Sequence, residues 1–282
     1  MSTRPTSLTP TLHWIFRISV FMTWVGHGAF GIITKKAWLP YYGVLGVPEA
    51  LAWQTMPIVG TMDIMFGIST LLSPCRAVLL YGVVWCAFTA ILRPLAGQGV
   101  WETLERAGNY GVPLAFLAMA GWGRSWREWF QPIGPREPSF LDAARLVRIA
   151  AILRFTIGFL LIGHGGFGAF MHKEMLTQMY TSVGLGSLPI GAAGLTQAIG
   201  CFELLLGATV IAAPIPGLLV FIAAWKIATE LLYPMTGYPF WEFIERGGSY
   251  CAPLALYFLV TRRSSVPELE SAKVAPVRGH AA

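Results

Sequence analysis

The chain contains the stretch Gly26-His27-Gly28-Ala29-Phe30-Gly31, and 164 − 27 = 137 residues later it contains Gly163-His164-Gly165-Gly166-Phe167-Gly168. A second stretch, Trp101-Glu102-Thr103-Leu104-Glu105-Arg106, returns after 246 − 106 = 140 residues as Trp241-Glu242-Phe243-Ile244-Glu245-Arg246. Similarity at a nearly constant long offset indicates an internal repeat and takes precedence over local patterns. We therefore predict that two copies of one unit build the molecule. Polar residues kept in both copies are the best candidates for a shared site.

The composition indicates a membrane protein. Of the 282 residues, 55% are hydrophobic and 12% are charged, whereas roughly 25% are charged in an ordinary soluble domain. Apolar stretches of about 20 residues, long enough to cross ~30 Å of hydrocarbon, recur along both halves. The net charge of +6 requires no nucleic-acid partner, because the basic residues cluster in connecting segments as they do in membrane proteins. The partner that the composition predicts is the lipid bilayer.

Both halves show the same series of apolar stretches, separated by proline-containing breaks such as Ser73-Pro74 and Arg93-Pro94. Proline lacks a backbone donor and restricts the residue before it, so these positions are natural helix ends. We expect an all-α fold, a polytopic transmembrane helical bundle of two parallel four-helix repeats. It would have about eight spans, or six if the short third helices do not cross. The predicted helices cover residues 12–33, 51–72, 76–92, 103–122, 149–171, 191–213, 217–232 and 243–261.

The distribution of arginine predicts the topology. The segment between the halves contains Arg124, Arg127, Arg136, Arg145 and Arg148. Cytoplasmic loops are enriched in basic residues, so we expect this linker and both termini on the cytoplasmic side of a bacterial or archaeal inner membrane. An even number of spans in each repeat makes the repeats parallel, related by an axis along the membrane normal. The predicted divisions are a first repeat at 1–122, a basic linker at 123–148, a second repeat at 149–263 and a disordered tail at 264–282.

Polar residues recur near one side of the membrane. His27 lies 27 − 12 = 15 residues after the start of the first predicted helix, which corresponds to about 22 Å along the helix axis. His164 is its counterpart. Ionisable groups are costly in lipid and normally face a bundle interior or a wet cavity. We therefore predict a polar site in the outer half of the bilayer, with His27, His164 and Asp63 as candidate catalytic groups. The candidate substrate-binding residues are Glu102, Glu105, Arg106, Glu242, Glu245 and Arg246.

Nearer the middle of the membrane the two copies differ. The second half contains a predicted structural ion pair formed by Glu203, Lys226 and Glu230, in which the lysine reaches a neighbouring helix and also a glutamate one turn away. In the first half, Cys86 and Ala90 occupy the positions of the lysine and the second glutamate. Asp63, the counterpart of Glu203, therefore has no evident basic partner. We expect a neutralised pair in one half and a protonatable or functional carboxyl group in the other.

The pattern Arg154-x3-Gly158-x5-His164-Gly165, followed by Gly200-x2-Glu203-x3-Gly207, resembles the DoxX/DoxD-like family of four-helix membrane proteins. The first half keeps part of this pattern, in Arg17, His27-Gly28, Gly60 and Gly67. The family's lysine closely follows the His-Gly pair, whereas the lysines of this chain come later, at Lys35, Lys36 and Lys173. The resemblance covers both halves and implies a link to quinone, because the DoxD type is associated with thiosulfate:quinone oxidoreduction.

The repeated polar residues allow two interpretations each. Two histidines on corresponding helices, flanked by glycines that let a flat ring approach, would suit the axial ligands of haem b or the ligands of a metal ion. The same pattern also allows close helix packing, with the imidazole hydrogen-bonded across the interface. The Glu-Arg pairs fit either a self-neutralising pair at a helix N-terminus or a polar wall for a quinone head or a small anion.

The first functional hypothesis is a quinone-linked redox protein, or the membrane subunit of such an enzyme with a separate redox partner subunit. The sequence contains no Rossmann or P-loop glycine signature and no CxxC motif, so any chemistry takes place in or beside the bilayer. One alternative is a small-solute transporter or channel that uses Asp63 as a carrier group. Another is a non-catalytic membrane assembly factor.

Overall fold

The computed structural model describes residues 8–137 and 141–263, and within these ranges the chain forms α-helices and no β-strand. The first half contains α1 (Leu8–Ile32), α2 (Leu39–Val44), α3 (Glu49–Leu72), α4 (Arg76–Leu95), α5 (Val100–Glu105) and α6 (Ala107–Ala120). A short helix, α7 (Trp126–Phe130), lies between the halves. The second half contains α8 (Ala143–Ala169), α9 (Glu174–Ser182), α10 (Gly191–Ala212), α11 (Pro216–Met235), α12 (Trp241–Glu245) and α13 (Gly247–Arg263).

Six of the described helices are long and apolar enough to cross a membrane. They are α1, α3, α4, α8, α10 and α11, three from each half. Many large apolar side chains on α3 and α4 point outward, including Ile58, Met65, Val84 and Ile91. Outward-facing apolar side chains on long helices are expected where the surrounding solvent is lipid. The six helices therefore indicate an integral membrane protein.

The fourth helix of each half is interrupted, which the sequence did not predict. The expected helices at 103–122 and 243–261 were continuous, but the structure has a turn at Arg106 and another at Arg246. At these turns Asn109 N donates to Arg106 O (2.9 Å) and Ser249 N donates to Arg246 O (2.8 Å), so the backbone bonds there span three residues and not four. The six-span alternative assumed that the short third helices do not cross, whereas both third helices, α4 and α11, are among the six that are long and apolar enough to do so.

The segment between the halves is shorter than predicted. Helix α8 begins at Ala143, inside the expected linker at 123–148, because Asp142 caps it by accepting a hydrogen bond from Arg145 N at 2.7 Å. The third helices also continue slightly past their prolines, and Pro94 and Pro234 lie in the last turns of α4 and α11. The predicted tail at 264–282 lies outside the described residues.

Glycines bring the first and second helices of each half into close contact. A Cβ atom added to Gly28 of α1 would lie 2.5 Å from the carbonyl oxygen of Gly60 in α3. In the second half, a Cβ atom added to Gly165 of α8 would lie 2.7 Å from the carbonyl oxygen of Gly200 in α10. Small residues at such crossings let backbones approach closely in membrane bundles. The repeated glycines therefore fix the pairing of α1 with α3 and of α8 with α10.

The first helix of each half also packs on the fourth helix of the other half. A Cβ atom added to Gly26 would lie 2.5 Å from Cα of Glu245, and one added to Gly163 would lie 2.6 Å from Cα of Glu105. Corresponding residues thus make corresponding contacts across the halves. Because of this crossed packing, the Glu-Arg stretch of each half lies near the repeated histidine of the other half.

Candidate functional site

His27 and Asp63 form a pair in the first half. Nδ1 of His27 lies 2.6 Å from Oδ2 of Asp63, and the aspartate side chain is fully buried while the histidine side chain is 18% exposed. Trp38 stacks on the imidazole with a centroid distance of 4.6 Å. The expectation that Asp63 lacks a basic partner is therefore wrong, because the glycine contact between α1 and α3 brings a histidine to it.

An apolar cavity of about 110 Å³ lies in front of His27 and is partly open to the surroundings. It is formed by α1, α2, α3 and α4, and most of its wall is aromatic. Aromatic walls favour flat rings, which they contact face to face or edge to face. The principal lining side chains are His27, Trp38, Tyr41, Tyr42, Trp85 and Phe88.

Polar groups stand at one edge of this cavity. Arg93 lines it and extends to Glu102, with 3.3 Å between Nη1 and Oε2. The guanidinium also lies over the ring of Tyr41 at 5.3 Å, and the Tyr41 hydroxyl donates to Oε1 of Gln98 at 2.7 Å. The cavity thus combines an apolar interior with a single histidine-carboxylate pair and one arginine.

The corresponding region of the second half is filled by charged side chains. Lys226 Nζ lies 3.4 Å from Oε1 of Glu203 and 3.0 Å from Oε1 of Glu230. Trp225 Nε1 donates to Oε1 of Glu203 at 3.0 Å. All three members of the predicted ion pair are buried. Each carboxylate faces a donor, as buried charges require.

A much smaller cavity, of about 20 Å³, lies at the position in the second half that corresponds to the first cavity. Its lining includes the charged residues Glu203, Lys226 and Glu230, together with His164 and the hydroxyl-bearing Tyr180. In the first half the uncharged residues Cys86 and Ala90 stand in place of Lys226 and Glu230. The two halves therefore carry corresponding cavities of different chemistry, one apolar and one polar.

His164 has different neighbours from its counterpart. Its Nε2 lies 3.4 Å from Oε1 of Glu105, which belongs to the other half, and 3.3 Å from Oε1 of Glu230. His27 instead contacts Asp63, so the two histidines lie in separate clusters. Among residues 8–137 and 141–263, no group of three or more His, Cys, Asp and Glu side chains could hold a metal ion. These contacts lend no support to a haem or metal ion shared by the two histidines.

The repeated Glu-Arg stretches join the two halves. Arg106 lies 2.8 Å from Glu105 and 2.7 Å from Glu245 of the other half. Arg246 lies 2.7 Å from Glu242 and 3.0 Å from Glu230. These side chains are buried, and each predicted substrate-binding group among them has a protein partner. In this buried network four carboxylates share two guanidinium groups, and the network borders the second cavity through Glu230.

Two lysines complete the network, and the sequence did not identify their role. Lys35 Nζ lies 2.7 Å from Glu242, and Lys173 Nζ lies 2.6 Å from Glu102, so each lysine reaches the other half. They also lie over the rings of Phe30 and Phe167, at 3.6 and 3.7 Å. A signal was present, because each lysine follows a repeated phenylalanine at nearly the same spacing. Burial, the larger effect, lowers the pKa of Lys35 from its ordinary value, although Glu242 acts in the opposite direction.

Comparison of the chain with protein-family models, with curated proteins and with solved structures finds no match.

Proposed function

We propose that the protein is a quinone-linked redox protein, or the membrane subunit of one, and that the first-half cavity receives the quinone head. The observation that carries this proposal is the His27–Asp63 pair facing an aromatic, otherwise apolar cavity within a membrane protein. A quinone is a flat ring with polar oxygens and is soluble in lipid, so it matches both the apolar walls and the polar groups of His27 and Arg93. The resemblance to the DoxX/DoxD-like family points to the same class of molecule.

The histidine-carboxylate pair would orient the head group. Because Asp63 occupies Nδ1 of His27, it holds the imidazole in one orientation and leaves Nε2 to face a ligand. When the bound ring is in its reduced, hydroxyl-bearing form, Nε2 of His27 can accept a proton that the ring releases as it is oxidised. Electrons would pass to a separate redox partner subunit.

Binding measurements on the purified protein test this proposal. We expect a short-chain quinone to bind, and we expect His27→Gln and Tyr42→Leu each to weaken binding by about tenfold, which corresponds to ~1.4 kcal/mol. Tyr180→Leu is the matched control, because Tyr180 lines the second cavity at the position that corresponds to Tyr42. Binding that is absent, or that is weakened equally by the changes at Tyr42 and Tyr180, would contradict the proposal.

The proposed arrangement in the membrane has eight spans, in two parallel repeats related by an axis along the membrane normal. The length of each interrupted fourth helix supports this arrangement, when the short helix before the turn is counted together with the helix after it. From Val100 to Ala120 there are 120 − 100 + 1 = 21 residues, which extend about 31 Å if they are nearly collinear. In the proposed arrangement both termini lie in the cytoplasm of a bacterial or archaeal cell, which the basic linker supports, and the polar site lies in the outer half of the bilayer.

A small-solute transporter is the second candidate, favoured by the full burial of Asp63 next to a histidine. Such a pair can accept and release a proton within the membrane and so couple proton movement to transport. Uptake into proteoliposomes that is lost in Asp63→Asn, together with an absence of quinone binding, would favour the transporter over the redox protein.

A further inference from the structure

Two buried polar atoms beside the first cavity have no hydrogen-bond partner among the described residues. They are Oδ1 of Asp63 and Nε1 of Trp85, one an acceptor and the other a donor. Trp85 lines the cavity, and Asp63 lies behind His27, which lines it too. Leaving a buried donor or acceptor without a partner is costly, so such atoms next to a cavity call for an explanation.

The second half shows how the corresponding atoms are satisfied there. Trp225 and Glu203 correspond to Trp85 and Asp63, since 225 − 85 = 140 and 203 − 63 = 140. Trp225 Nε1 donates directly to Oε1 of Glu203, and Lys226 provides a second donor to the same oxygen. The first half has a carboxylate that is one methylene shorter and is turned toward His27. It also has Cys86 in place of the lysine, so neither of these two contacts forms.

Neighbouring hydroxyl groups do not replace these contacts. The Tyr81 hydroxyl is directed to Sδ of Met62 at 3.7 Å, and the Thr89 hydroxyl donates to the backbone oxygen of Cys86 at 3.2 Å. Both atoms therefore have no protein partner among the described residues, Trp85 at the cavity wall and Asp63 behind His27.

We propose that the first cavity selects a ligand that carries a ring hydroxyl group, the reduced quinol form or a phenol, over the corresponding quinone. This inference rests on the proposed function and specifies the form of the ligand. A hydroxyl group both donates and accepts, so it can donate to Oδ1 of Asp63 and accept from Nε1 of Trp85.

Other ligand groups satisfy only part of this pair. A quinone carbonyl accepts from Trp85, but its oxygen is repelled by the carboxylate of Asp63. An ammonium group can donate to Asp63, but it has no lone pair to accept from the indole. Of these three ligand groups, the hydroxyl group is the one that can bond to both atoms.

The test compares three probes on the full-length protein in lipid nanodiscs: 1-naphthol, 1-methoxynaphthalene and 1,4-naphthoquinone. The methyl ether keeps the ring and the acceptor but cannot donate. We expect 1-naphthol to bind at least about tenfold more tightly than either of the others, because both lose the bond to Asp63. Binding is measured by equilibrium titration.

Trp85→Phe supplies the second arm, because it keeps an aromatic wall and removes the indole donor. We expect it to weaken binding of 1-naphthol by about tenfold, while the matched change Trp225→Phe in the second half leaves binding unchanged. Equal binding of naphthol and its ether, with no effect of Trp85→Phe, would overturn the inference while the proposed function stands. That outcome is also expected if a resident water molecule already satisfies both atoms. Failure of all three probes to bind would overturn both the inference and the proposed function.

Discussion

At the scale of single residues, the second half contains a buried lysine whose positive charge is balanced by two carboxylates. Lys226 is 1% exposed and lies within reach of Glu203 and Glu230. The sequence was sufficient to propose this group, because Lys226 and Glu230 are one helical turn apart. It was not sufficient for His27 and Asp63, whose contact depends on how two helices cross. The glycines at 28 and 60 were the available signal, since they bring those helices together at the level of the pair.

The first prediction at this scale concerns Lys226. Lys226→Met leaves Glu203 buried without a cation and Glu230 with Arg246 as its remaining arginine or lysine partner, and we expect it to lower the free energy of unfolding by ~3–5 kcal/mol. Glu203→Gln should be costly for the same reason, since it removes one of the two carboxylates that balance the lysine. The double variant should cost much less than the sum of the single changes, because it strands a smaller charge.

Thermal unfolding in detergent measures all three variants, with Asp63→Asn as the comparison. Asp63→Asn should be milder, because an asparagine can still form a hydrogen bond with the imidazole of His27 and no lysine or arginine loses its carboxylate. Additive, mild effects of the changes at Lys226 and Glu203 would show that the two side chains do not act as a buried pair.

At the scale of helices, composition and proline breaks were enough to locate the six long helices within a few residues. They could not show that the fourth helices turn at Arg106 and Arg246. At those points the preference of the local sequence for a helix competes with contacts from the other half. Glu105 and Glu245 lie against Gly163 and Gly26, and both arginines are held by partners distant in the sequence. Such partners are defined only once the helices have packed.

A glycine substitution tests the crossed packing of α1 on the other half. Gly26→Ala places a methyl group against the backbone of Glu245, which cannot move aside as a flexible side chain would. We expect a loss of roughly 1–3 kcal/mol in the free energy of unfolding, and the same for Gly163→Ala. Gly217→Ala is the control, because no atom lies within 4 Å of a Cβ atom added there. An unchanged melting temperature in Gly26→Ala would mean that α1 and α12 are not packed this closely.

At the scale of the whole molecule, the two halves have similar frames and different interiors. Their frames share the glycine crossings and the exchanged lysine contacts, whereas one cavity is apolar and the other is lined with charge. The repeat was predictable because matching stretches of sequence recur at a nearly constant offset. The difference between the cavities was predictable only in part, at positions 86 and 90, since the lining also comes from the segments that follow α1 and α8.

The membrane arrangement belongs to this scale and is tested by labelling single cysteines with a membrane-impermeant reagent in a variant that lacks Cys75, Cys86, Cys201 and Cys251. We expect Arg127→Cys, between the halves, to be labelled only from the cytoplasmic side, because basic connecting segments stay inside. Ala50→Cys, at the start of α3, should be labelled from the outside. The same accessible side for both positions would rule out the proposed eight-span arrangement.

The exchange of lysines between the halves bears on how such a chain can arise. Each four-helix unit contains one lysine that reaches the other half and one glutamate that receives the other half's lysine, as Lys35 and Glu102 show for the first half. Two identical units can therefore pair around a two-fold axis with every lysine in contact with a glutamate. In such a homodimeric ancestor, any change would alter both cavities at once. Joining the two units in one gene ends that constraint. The cavity of one half can then keep a ligand. The cavity of the other half can acquire Lys226 and Glu230 and become part of the packed interior.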